Sequence, residues 1–171
     1  NKITAISLYM DWADKLVCLV IPPTSMSKET AEEIVDEFDD TYLFYNEKEM
    51  LLAFLDLIED ADVLSGWNSE GFDIPYIVNR VTKVLSKNDT RRFCLWDKFP
   101  KKRTFERYGA EQQTFDLIGR IHMDYMQLYI KYTYHEMHSY ALDAIAEHEL
   151  DEHKVPYEGT LDQLYNQDFR S

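Results

Sequence analysis

The sequence has no apolar run approaching the roughly 18–20 residues a membrane span requires, and its first residues carry no signal-peptide pattern. Cysteine is nearly missing. Cys18 and Cys94 stand alone in Leu-Val-Cys-Leu-Val and Arg-Phe-Cys-Leu-Trp, so there is no CxxC pair, and both read as buried thiols in a reducing cytoplasm. There is no internal repeat, no low-complexity tract and no linker long enough to divide the chain, so residues 1–171 are expected to form a single domain. Positive charge is scarce too: 18 Lys and Arg face 32 Asp and Glu, for a net charge of −14. Taken alone, that balance speaks against nucleic-acid binding, because phosphate contacts need cations.

What is present tells a different story. A hydrophobic content of 45%, with 14% aromatic residues, excludes a disordered chain and suffices for a real core. The basic residues are also concentrated. Ten of the 18 fall between Arg80 and Arg107, opposed there only by Asp89, Asp97 and Glu106. Such an island suits either a DNA backbone or a solvated helix face followed by a loop; charge alone favours the second.

Hydrophobic periodicity outlines the elements. Ile3 to Tyr9 and Leu16 to Ile21, separated by Asp11-Trp12-Ala13-Asp14, predict a β-hairpin. The acidic, Ser/Thr-rich stretch 24–40 predicts a surface helix and loop. Asn46 with Glu49 makes a helix start, and Leu51, Phe54, Leu55 and Ile58 carry that helix to about Asp60. Val63 to Trp67 predicts a brief buried strand. After a glycine-containing loop, Ile74, Ile77, Val78, Val81 and Leu85 mark a helix with Pro75 in its first turn. Residues 103–118 alternate around Tyr108-Gly109, a second hairpin; Ile121 to Tyr129 is a strand or strand-to-helix passage; Leu142, Ile145, Ala146 and Leu150 predict a third amphipathic helix. The order implies an α/β layered domain with a mixed sheet.

The chemistry concentrates in Leu64-Ser65-Gly66-Trp67-Asn68-Ser69-Glu70-Gly71-Phe72-Asp73-Ile74-Pro75-Tyr76. A strand ends, a loop crosses over, and a carboxylate stands at the mouth of a helix. Phosphodiester hydrolysis by two divalent ions needs such oxygen ligands on rigid junctions. A helix start needs them as well, and on local chemistry alone Asp73 as a cap is the stronger reading. His135-Glu136-Met137-His138 invites a zinc reading, but it is not HExxH and no Cys or third His falls at useful spacing.

Gly66-Trp67-Asn68 followed by Phe72-Asp73-Ile74-Pro75-Tyr76 and Asn79-Arg80 resembles the second motif of the 3′–5′ exonuclease domain of family B DNA polymerases, of the T-even phage type. Gly119 to Asp124 resembles a later strand of that domain, Ser139 to Ala146 the helix after it, and Asn1 to Tyr9 the strand that follows the first motif. The resemblance implies a ribonuclease H-like mixed sheet flanked by helices, with the hairpin near Thr104 to Gln113 as an insert that helps part primer from template. It implies proofreading of the 3′ end of single-stranded or primer-template DNA, with Mg²⁺ or Mn²⁺ as cofactor and the rest of a polymerase chain as partner. It further implies no membrane partner and a setting in the cytoplasm of a phage-infected bacterium. Asp73 becomes a catalytic, metal-binding carboxylate, while Asn68 and Phe72 contact the terminal nucleotides. The alternatives for those two are a plain loop amide and core filling. Asp124 matches a family position outside the motif carboxylates, which implies a structural role.

Two departures bear on activity. The family's first motif, Asp-x-Glu on the central strand, and its third, Tyr-x-x-x-Asp on a late helix, are both absent from this chain. The expectation is therefore an inactive isolated chain and a sheet gapped at its central strand, or paired between molecules. A stand-alone ribonuclease H-like exonuclease and a non-catalytic binding module are the competing readings.

Overall fold

The computed structural model describes residues 1–107 and 109–170. In chain order the strands are β1 (Ala5–Met10), β2 (Lys15–Val20), β3 (Thr41–Leu43), β4 (Val63–Gly66), β5 (Lys101–Arg107), β6 (Ala110–Asp116) and β7 (Ile121–Asp124). The α-helices are α1 (Lys28–Val35), α2 (Glu47–Leu57), α3 (Asp73–Val84), α4 (Tyr125–Tyr132), α5 (Leu142–Leu150) and α6 (Leu161–Gln167). The chain divides into two compact units, Asn1–Leu57 with Tyr157–Ser171, and Ile58–Pro156. The architecture is mixed α/β, as expected. Its strands, however, form three separate sheets rather than one. No helix of the described residues is long and apolar enough to cross a membrane.

In the first unit β1 and β2 form the expected antiparallel hairpin, and β3 adds in parallel to β2. Val17, Leu19 and Ile21 point to one face and are almost fully buried, while Ile6, Leu8 and Met10 of β1 are half-buried. Met50, Leu51, Phe54 and Leu55 of α2 complete this core. The start of α2 follows the sequence reading, with the Asn46 carboxamide accepting from the Glu49 N–H at 2.8 Å. Surface helix α1 is capped by Ser27, which accepts from the Thr30 N–H at 3.2 Å, and it buries Ala31 and Val35. Helix α6 is tied in where the Tyr165 hydroxyl donates to the Ile21 carbonyl at 2.9 Å.

In the second unit β4 and β7 are parallel and in register from Val63↔Ile121 to Gly66↔Asp124. The β4 strand is not buried as its composition suggested. Val63 is 45% exposed, and Ile121 and Met123 on the same face are also exposed. Among the described residues of this unit β4 has one strand partner, β7. Ile74, Val78 and Val81 of α3 are buried, as their spacing predicted. Strands β5 and β6 form the second hairpin, whose register closes at Arg107↔Ala110. Tyr108, assigned to its turn, lies outside the described residues, and Gly109 takes a φ of 71°, a conformation glycine adopts without strain. In α5 only Ile145 is buried; Leu142 and Leu150 are exposed, so its amphipathic face is largely uncovered. Arg120 is buried, and its guanidinium donates to the carbonyls of Ile58 (2.6 Å), Ala61 and Glu59 (3.1 Å). Burial holds its pKa below the ordinary arginine value.

Candidate functional site

The parallel register places Gly66 and Asp124 side by side at the carboxyl ends of β4 and β7, where open α/β sheets usually bind ligands. The loop from Trp67 to Phe72 leaves β4 there and winds around the Asp124 carboxylate. Asp124 is 6% exposed. It accepts from the N–H groups of Asn68 (2.9 Å), Glu70 (3.1 Å) and Met126 (3.0 Å), the last making it the N-cap of α4. A charged acceptor facing three backbone donors is a strong local organiser. Asp124 is thus structural, the role its sequence position implied.

Asn68 sits in the left-handed region with φ 57°, which asparagine tolerates better than most residues. The N–H groups of Gly71 and Phe72 donate back to its carbonyl at 3.1 and 3.0 Å. Its side-chain oxygen accepts from Arg107, which reaches in from β5 and whose Nη2 lies 3.8 Å from Asp124 Oδ2. A Cβ at Gly71 would lie 2.8 Å from the Asn68 oxygen and 2.9 Å from Arg107 Nη1, so a larger residue there would displace this contact. Ser69, buried, hydrogen-bonds His122 Nε2 at 2.8 Å. Burial is the main cause that lowers the His122 pKa, with the Arg103 charge adding to it. The carboxylates of Glu70, Asp124 and Asp73 act the other way.

A cleft of about 550 Å³ opens over this loop, walled by Trp67, Asn68, Phe72, Arg107, Gln112 and Tyr140 among others. Trp67 is anchored by its indole N–H, which donates to the Tyr140 carbonyl at 2.9 Å. Phe72 is not core filling: it is 60% exposed, and its ring stacks on Tyr76 at 5.6 Å and 24°. The structure therefore brings Asn68 and Phe72 to one cleft. Asp73, though next in sequence, is not among the lining residues. It is the first residue of α3; the N-cap is Phe72, with no side-chain cap. Asp73 is exposed by surface area, yet the protein around its carboxyl strips enough water to raise its pKa. Asp124 raises it further, while its own backbone N–H and His122 lower it.

Arg107, Trp67, Tyr140 and His122 escaped the sequence reading. The only signal for Arg107 was its place in the basic island, part of which is committed internally. Arg91 pairs with Asp97 at 3.0 Å, and Arg103 with Asp116 at 2.8 Å and with Glu70.

The model of the DNA polymerase family B exonuclease domain matches residues 1–145. This chain belongs to that family. It is 34% identical over 139 residues to the DNA-directed DNA polymerase of Enterobacteria phage T4, a match covering 80% of this chain and 15% of the relative. The enzyme of Escherichia phage RB69 matches to the same extent, 34% over 139 residues, 80% and 15%. The DNA polymerase delta catalytic subunit of Mesocricetus auratus is 28% identical over 120 residues, covering 65% of this chain and 10% of the relative. The chain thus spans about 15% of the length of its phage relatives.

Exonuclease domains of this family use divalent metals, which take several oxygen ligands. Here the Asp124 carboxylate is turned into the loop amides, and Glu70 is paired with Arg103. That leaves Asp73. At this corner of the described residues that is one carboxylate, fewer than the several oxygen ligands a divalent ion takes.

Proposed function

We propose that this chain is part of a DNA-directed DNA polymerase and belongs to the proofreading domain that hydrolyses the 3′-terminal phosphodiester of single-stranded DNA. The observation that carries the reading is the convergence of Asn68 and Phe72 on one cleft, in a strand–loop–helix corner that continues directly into Asp73. The exposed Phe72 ring offers a stacking surface for the terminal base, and Asn68, held by Arg107, presents a fixed polar edge beside it. Asp73 contributes one carboxylate to the metal centre of the intact enzyme, and the first and third motifs supply the others. The isolated chain is accordingly inactive as a nuclease. A binding module without catalysis is favoured for it by the same lone carboxylate.

The family match spans residues of both compact units, which supports reading 1–171 as parts of one exonuclease domain. A ribonuclease H-like sheet lacking its central strand is supported by β1 and β4, each of which keeps one edge without a strand partner among the described residues. The two phage relatives support a setting in an infected bacterial cytoplasm.

The test is fluorescence anisotropy with a labelled single-stranded oligonucleotide. Phe72→Ala is expected to weaken binding by about 1–3 kcal/mol, the usual worth of one base–aromatic stack. Asn68→Ala is expected to weaken it by a smaller factor. Affinity unchanged in both variants would remove the cleft from DNA recognition.

A further inference from the structure

Away from the cleft loop, the second unit holds another set of ligand-type side chains. His135, His148 and Glu149 offer one donor atom each within 4.8 Å of one another, and all three residues are exposed. They come from two places in the chain: His135 from the 133–141 segment, His148 and Glu149 from the last turn of α5. The His135 and His148 rings lie 5.2 Å apart at 54°, and His135 Nε2 is 3.8 Å from Glu149 Oε1. Tyr129 of α4 ties the set together. Its hydroxyl donates to Glu149 Oε1 at 2.6 Å and lies 3.2 Å from His135 Nε2.

We propose that His135, His148 and Glu149 bind one divalent ion of the zinc class, stapling the 133–141 segment to α5. Two imidazole nitrogens and a carboxylate oxygen are a ligand set such ions accept, with water in the fourth position. Metal–ligand bonds of about 2.0–2.2 Å bring tetrahedral donors to roughly 3.3–3.6 Å from one another. The side chains that would close this spread are all exposed. Tyr129 is the outer hydrogen-bonding partner that orients Glu149, as metal-bound carboxylates generally require. The consequence reaches the cleft. The Tyr129 ring lies 5.9 Å from that of Trp67 and 6.5 Å from that of Tyr140, and both residues line it. An ion fixing the 133–141 segment would stiffen that wall. The sequence offered no third His at useful spacing around His135-Glu136-Met137-His138; the ring that meets His135 is that of His148, thirteen residues on.

The experiment is calorimetric titration of ZnCl₂ into the chelator-treated 171-residue chain, with Co²⁺ absorption as a second readout of coordination. One equivalent is expected to bind. His135→Ala and His148→Ala should each abolish that event, and Tyr129→Phe should weaken it about 10–100-fold. His138→Ala and His153→Ala should leave it unchanged. Circular dichroism verifies folding, and His135→Gln and His148→Gln serve as second variants if an alanine variant misfolds. No stoichiometric binding at micromolar Zn²⁺ would overturn the proposal. So would equal losses at His138 or His153, or undiminished binding in the His135 and His148 variants.

Discussion

Replacing Asp124 by alanine leaves the N–H groups of Asn68, Glu70 and Met126 facing a cavity instead of a charged acceptor. It also strips a negative partner from Arg107, whose side chain is only 10% exposed. A hydrogen bond to a charged group contributes about 1.5–3 kcal/mol net, and an N-cap about 1 kcal/mol. The three bonds share one carboxylate and are not additive, so the whole substitution is expected to cost about 3–5 kcal/mol, the range for breaking a buried pair. Asp124→Asn keeps one acceptor oxygen but turns an NH₂ group toward backbone donors, and should cost nearly as much. Urea denaturation of the 171-residue chain gives the magnitude. Amide exchange at Asn68, Glu70 and Met126 shows whether the loss is local. A cost below about 1 kcal/mol for Asp124→Ala, with exchange at those amides unchanged, would refute the view that this carboxylate organises the loop.

Arg107→Ala removes the donor that fixes Asn68 and should cost about 1.5–3 kcal/mol, with weaker single-stranded DNA binding by anisotropy. Arg107→Lys should recover only part of both losses, since an ammonium lacks the planar fork. His122 supplies a pH dependence. Burial lowers its folded pKa below the ordinary 6.5, so the unfolded chain takes up a proton first as the solution is acidified. Its stabilising contribution is present above pH 6.5 and lost as pH falls through the folded pKa. Thermal melts across that interval should slope less in His122→Gln than in the parent.

What could be read from the sequence was what local periodicity records. The β1–β2 and β5–β6 hairpins and helices α2 and α3 all repeat their apolar residues at a strand or helix period. Strand β3 spans only Thr41–Leu43, too short to show a period, and α6 carries no buried residue to mark a face. Its one local signal was the Thr160–Gln163 capping box. Val63 and Leu150 misled in the opposite direction. Their apolar side chains implied burial, but burial depends on what packs over a residue, and both are exposed. The meeting of Asn68 and Phe72 at one cleft was legible because they lie in one contiguous motif. The Arg107–Asn68 contact spans 39 residues and the Trp67–Tyr140 bond 73, distances over which no local pattern carries information.

The central claim is that Asp73 is a carboxylate of a nuclease centre whose partners lie outside this chain. It is tested most directly by incubating the purified 171-residue protein with 3′-labelled single-stranded DNA and Mg²⁺ or Mn²⁺. DNA binding without release of labelled nucleoside monophosphate is the expected outcome. Metal-dependent release that disappears in Asp73→Ala would contradict it, because a single carboxylate would then be sufficient for the chemistry.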